Sequence, residues 1–106
     1  MIASPSAPLR LSLDSAALVA NWRWLAAMSG RAACGAALKA DGYGLGARAV
    51  GERLANAGCR DFFVATWAEA AALAPLGKGL SLSVLHGVRA EDMEIALSGI
   101  ARPILN

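Results

Sequence analysis

Hydrophobic and polar positions follow two rhythms along this chain. Residues 9–13 alternate leucine with Arg10 and Ser12, a weak strand signal of period two. Asp14 then stands where a helix N-cap belongs, and Leu18, Trp22 and Leu25 follow at i, i+4 and i+7 on one helical face. Gly30 supplies a left-handed stop. Residues 32–39 carry no charge before Lys39, as expected of a strand buried on both faces. A glycine-rich turn over residues 40–46 leads into a second helix, with Val50, Leu54 and Ala57 on one side and Gly58 as terminator. Residues 61–65 read as a strand. Thr66 and Glu69 make a T-x-x-E capping box for a helix that ends near Pro75 and Gly77. Residues 80–85 are a further strand, 90–97 a further helix, and 102–105 the start of a last strand.

This order, β-α-β-α-β-α-β-α-β, predicts parallel strands joined by right-handed crossovers. A unit spacing of roughly 20 to 30 residues suits a parallel α/β sheet or a (β/α)8 TIM-type barrel. No sequence repeat accompanies it. The chain stops inside an apolar strand pattern at Ile104-Leu105-Asn106, so an incomplete barrel is expected, the first part of a longer protein. Residues 1–8 hold two of the four prolines and read as a flexible tail; residues 9–106 then form the barrel portion.

Composition narrows the function. With 106 residues the chain allows one domain at most. It is 57% hydrophobic and 17% charged, with a mean hydropathy of +0.47, too apolar for a disordered linker. Alanine makes up about a quarter of it and favours helix. The net charge of +2 arises from scattered single charges, which argues against nucleic acid and acidic membrane as partners. No run of about 18 apolar residues would span a bilayer, and the start lacks the basic and long apolar regions of a signal peptide. Cys34, Cys59 and His86 are too few and too scattered for a zinc site, and the cysteines read as buried thiols. A reducing cytoplasm is the expected compartment.

In parallel α/β folds, ligands bind beyond the carboxyl ends of the strands. That rule selects Lys39 with its loop, Thr66 with Trp67, and Leu85-His86-Gly87. Lys39 is one of only two lysines, the other being Lys78, among ten basic residues. At the mouth of a buried strand, loss of water would free its amine as nucleophile or base. From position alone, the plainer reading is that Lys39 ends the strand and reaches solvent. Gly42, Gly44 and Gly46 would let backbone approach a ligand, yet their spacing is not the G-x-G-x-x-G fingerprint; a tight βα turn explains them as well. Tyr43, the single tyrosine, would donate to a ligand phosphate or cap the local core. Asp41 reads as a turn cap. Trp22, Trp24 and Trp67 read as core or interface anchors, His86 as a packed or backbone-bonded residue. Arg89, Glu91, Asp92 and Glu94 read as a solvated helix start.

The run Ala36-Ala37-Leu38-Lys39-Ala40-Asp41-Gly42-Tyr43-Gly44-Leu45-Gly46 resembles the pyridoxal-phosphate lysine motif of the alanine racemase family, commonly Ala-Val-x-Lys-Ala-(Asn or Asp)-Ala-Tyr-Gly-His-Gly. Supporting similarities are Asn21 in the first helix, the segment Phe62-Phe63-Val64-Ala65-Thr66-Trp67-Ala68-Glu69-Ala70, and the strand end Leu82-Ser83-Val84-Leu85-His86-Gly87. The resemblance covers nearly all of the chain after the tail, and about the first third of the family's usual length. Gly42, Leu45 and Ala37 depart from the motif without removing a group the chemistry needs.

The resemblance implies a pyridoxal 5'-phosphate enzyme interconverting L- and D-alanine, for cell-wall peptidoglycan. Lys39 would form the internal aldimine and serve as acid/base on one face of the substrate carbon. Tyr43 would hydrogen-bond the cofactor phosphate, and Leu85 would line the cofactor pocket. The family places the opposing tyrosine in its C-terminal β domain, supplied by the partner subunit of a homodimer. The 106 residues lack that group and are expected to be inactive alone. Competing readings keep the cofactor: a serine racemase, an amino-acid decarboxylase, or a non-catalytic pyridoxal-phosphate carrier. The Tyr43-Gly44 pair favours the racemase.

Overall fold

The computed structural model describes residues 8–105. Helices α1 (Ser15–Met28), α2 (Lys39–Tyr43), α3 (Ala47–Ala57), α4 (Trp67–Leu73) and α5 (Met93–Leu97) alternate with strands β1 (Ala36–Ala37), β2 (Asp61–Val64), β3 (Ser81–Val84) and β4 (Arg102–Pro103). The strands form one parallel sheet in the order β1-β2-β3-β4. An α/β fold with parallel strands and intervening helices is what the alternating pattern requires.

Local signals act where they were read. The Asp14 carboxylate accepts from the Ala17 amide and starts α1. At α4 both halves of the capping box form: Glu69 N–H donates to Thr66 Oγ1, and Thr66 N–H donates to Glu69 Oε1. The core lies on one face of the sheet. Leu38, Phe62, Val64, Leu82 and Val84 alternate along the strands and pack with Val50, Leu54, Ala70 and Leu73 of α3 and α4. Trp67 joins that core, its indole N–H donating to Gly87 O at 2.9 Å. Cys59 is a buried free thiol, pushed up from its ordinary value by burial; Cys34 is half-buried and also free.

Four expectations need correction. Residues 9–13 form no strand: Leu9 and Leu11 are 87% and 72% exposed, and alternation makes a strand only where a neighbouring edge pairs with it. The strand over 32–39 shrinks to Ala36–Ala37, with Ala37 exposed, because helices cover only one face of the sheet. Leu25 faces solvent at 51% exposure, so the α1 stripe reaches the core only through Leu18 and Trp22. Trp24 is 64% exposed and so is not a core anchor, whereas Trp22 packs over Gly58 and donates to Cys34 O. The proposed tail falls mostly on residues 1–7, and the chain's last residue is Asn106; both lie outside the described residues.

Candidate functional site

The carboxyl ends of β1, β2 and β3 lie at one level. Ala37 pairs with Phe63, and Phe63 with Ser83. Carried two residues further, the register aligns Lys39, Ala65 and Leu85. The ladder does continue past the strand ends, since Leu38 N–H donates to Phe63 O at 2.7 Å and Leu85 N–H to Val64 O at 2.9 Å. Two strand spacings, about 10 Å, separate the first and third of these positions. Lys39 and Leu85 thus share one rim without touching, and Tyr43 follows within the turn that starts at Lys39.

Leu38 is fully buried and seated against Gly51, so the turn springs from a fixed point. The next residues reverse hand. Ala40, Asp41 and Gly42 have φ of 54°, 53° and 67°, Tyr43 has 57°, and Gly44 closes the turn at 85°. Helical hydrogen bonds persist, from Gly42 N–H to Leu38 O and from Gly44 N–H to Ala40 O. This α2 is therefore a left-handed turn. Asp41, read as a turn cap, closes the turn onto the first residue of α3, its Oδ1 accepting from the Ala47 amide at 2.9 Å. Alanine, aspartate and tyrosine all resist positive φ, so the turn stores strain that its bonds must offset.

Lys39 is exposed and Tyr43 is 64% exposed; Leu85 is half-buried. The desolvation expected around Lys39 is not found in this segment, because β1 ends at Ala37 and the rim has no cover. Thr66 is half-buried and committed to the α4 cap. His86 is exposed, so it is not packed as the plainer reading had it; its backbone N–H donates to Ala65 O. It borders a shallow polar cleft with Thr66, Trp67, Arg89 and Asp92. Arg89 pairs with Glu91 and Asp92 on the solvated start of the last helix. Among the described residues no three His, Cys, Asp or Glu side chains group as metal ligands, and no helix is long and apolar enough to cross a membrane.

One residue of the site escaped sequence reasoning in part. Glu69 was legible as the acid of a capping box, yet its other oxygen, Oε2, accepts from the Ala40 amide at 2.7 Å, across 29 residues. Oε1 serves the amides of Ala65 and Thr66 and the Thr66 hydroxyl. Burial would raise this carboxyl, but those donors outweigh it and hold it below its ordinary value. No local pattern announces a contact between two rim loops.

Comparison with known proteins gives a consistent picture. Residues 13–106 match the family model "Alanine racemase, N-terminal domain". A biosynthetic alanine racemase of Agrobacterium fabrum is 50% identical over 82 residues, covering 77% of this chain and 21% of that protein. The alanine racemase of Rhizobium meliloti is 42% identical over 101 residues, covering 95% and 27%. A crystal structure of alanine racemase from Bartonella henselae, with covalently bound pyridoxal phosphate, superimposes with a TM-score of 0.80 at 39% identity, over 88% of this chain and 27% of that one. The chain thus spans about a quarter of the length of the relatives it matches.

Proposed function

The chain belongs to the alanine racemase N-terminal domain family, and from that premise we propose that it is the lysine-bearing portion of a pyridoxal-phosphate-dependent racemase acting on alanine. The observation that carries this reading is the presentation of Lys39 at the carboxyl rim of a parallel sheet, on a turn bound at both ends, with Tyr43 in the same turn and Leu85 level with it.

These donors suit the cofactor. A pyridine ring bearing an aldehyde and a phosphate calls for an amine, a phosphate donor and an apolar wall. Lys39, Tyr43 and Leu85 are those three chemistries on one rim. When bound, pyridoxal phosphate supplies an aldehyde for covalent attachment and a conjugated ring that withdraws charge from the substrate carbon. The Lys39 amine would hold the cofactor's aldehyde and could hold a proton at its nitrogen on one face of the substrate carbon. The Tyr43 hydroxyl would donate to the cofactor phosphate. Leu85 keeps water from the ring. Racemisation also needs an acid/base on the opposite face, which in this reading comes from another part of the subunit or its partner in a homodimer. Cover over Lys39 comes from the same source, with residues 9–106 forming the start of a (β/α)8 barrel. The free thiols Cys34 and Cys59 suit work in a reducing cytoplasm.

The test is chemical. The full-length subunit is incubated with pyridoxal phosphate, reduced with borohydride and mapped by peptide mass spectrometry. Lys39 is expected to carry the label; labelling confined to Lys78 would overturn the assignment. Chiral analysis with alanine, with serine and without substrate separates an alanine racemase from a serine racemase or a carrier.

A further inference from the structure

A run of positive-φ residues from Ala40 to Gly44 is an unusual way to leave a strand. Ala40, Asp41 and Gly42 hold φ, ψ pairs of 54°, 43°; 53°, 48°; and 67°, 37°. Only glycine enters this region freely, so the non-glycine members persist where bonds over-determine them. The far end is tied down by Gly46 N–H on Asp41 O and Ala47 N–H on Asp41 Oδ1. At the near end Leu38, before Lys39, is held by its N–H on Phe63 O, and Ala40, after it, by its N–H on Glu69 Oε2 at 2.7 Å. That N–H belongs to the peptide joining Lys39 to Ala40. Its direction therefore sets the peptide plane from which the Lys39 side chain departs.

We propose that Glu69, besides capping α4, is a positioning residue for Lys39: by holding the Ala40 amide, its carboxylate locks the strained turn and aims the amine from the rim. This rests on the reading of Lys39 as the cofactor-binding amine. The two oxygens divide the work. Oε1 satisfies Ala65, Thr66 and the Thr66 hydroxyl, and Oε2 reaches across to the lysine turn.

Glu69→Gln separates the duties. An amide side chain has a single acceptor oxygen, which will stay with the three donors at the α4 cap and turn its NH2 toward the Ala40 N–H. In the holoenzyme this variant is expected to speed hydrogen exchange at the Ala40 amide by about tenfold, with Ala65 and Thr66 unchanged. Borohydride-trapped attachment of pyridoxal phosphate at Lys39 should slow several-fold, and kcat should fall more than KM for alanine changes. Thr66→Ala weakens the α4 cap but leaves Oε2 in place, so it should spare Lys39. Unchanged Ala40 exchange and attachment in Glu69→Gln would overturn the proposal, as would equal losses in both variants. Should Glu69→Gln not accumulate as folded protein, exchange in the unaltered protein decides. Protection of the Ala40 amide on an exposed residue supports the tie; exchange at the rate of an open chain overturns it. If the unaltered protein takes no label at Lys39, the proposed function fails, and Ala40 exchange still reports on the tie itself.

Discussion

A carboxylate serving four donors from two loops holds them fully only while it is ionised. Glu69 has a folded-state pKa below its ordinary value of 4.5: burial pushes it up, but the Ala40, Ala65 and Thr66 amides and the Thr66 hydroxyl push it down further. The unfolded chain therefore takes up this proton first as pH falls. The contribution of Glu69 to stability is complete above the ordinary carboxylate value and is lost as pH drops through the folded-state value. Asp41 on the turn and Arg48 on α3 line one cavity with Glu69. Denaturation midpoints should therefore be compared for the unaltered protein and Glu69→Gln across this acidic range. The difference between them is expected to be largest near neutral pH and to shrink on acidification. At this scale the sequence names candidates but not all of their contacts. Lys39 and Tyr43 stand out by rarity and by motif, and Asp41 and Thr66 cap what lies next to them. The second oxygen of Glu69 has no sequence signal, because its partner lies in another loop.

Among the elements, those with local instructions formed and those needing a neighbour did not always. The α4 helix has its own capping box, and α3 (Ala47–Ala57) follows the glycine-rich turn and stops at Gly58, so both lie where the pattern puts them. β1 is only two residues long, and its fit against β2 depends on Gly35. A Cβ there would sit 2.7 Å from Phe63 Cε2 and 2.8 Å from Asp61 O. One of those atoms is backbone and cannot move aside cheaply. Gly35→Ala is expected to destabilise the protein by about 1–3 kcal/mol, read as a lowered urea midpoint, because the strand must shift away from its partner. The alternation at residues 9–13 illustrates the converse. Its leucines have the right period, but a strand is a pairwise structure, and nothing pairs with them here.

At the scale of the molecule, the described surface is 7393 Å², against about 5500 Å² for a self-contained folded chain of this mass. The radius of gyration is 15.9 Å, where about 13 Å is usual for this length. Leu9, Leu11, Trp24, Leu25, Met28, Leu97 and Leu105 are exposed, and β1 and β4 each leave one edge unpaired within this sheet. Apolar surface and open strand edges drive association. The isolated 106-residue chain is accordingly expected to self-associate in light scattering and to leave L-alanine unchanged in chiral analysis. A monodisperse monomer that racemises alanine would contradict this.

The division between sequence and structure follows from the range of the forces. Hydrophobic period, caps and glycine stops act between residues a few places apart, so the sequence alone determined the order of strands and helices from the first helix onward, their parallel arrangement and the candidate lysine. Cross-strand register, the hand of the turn after Leu38 and the bond from Ala40 to Glu69 depend on how separate elements pack. Those were decided only when the core on one face of the sheet brought three loops to a common rim.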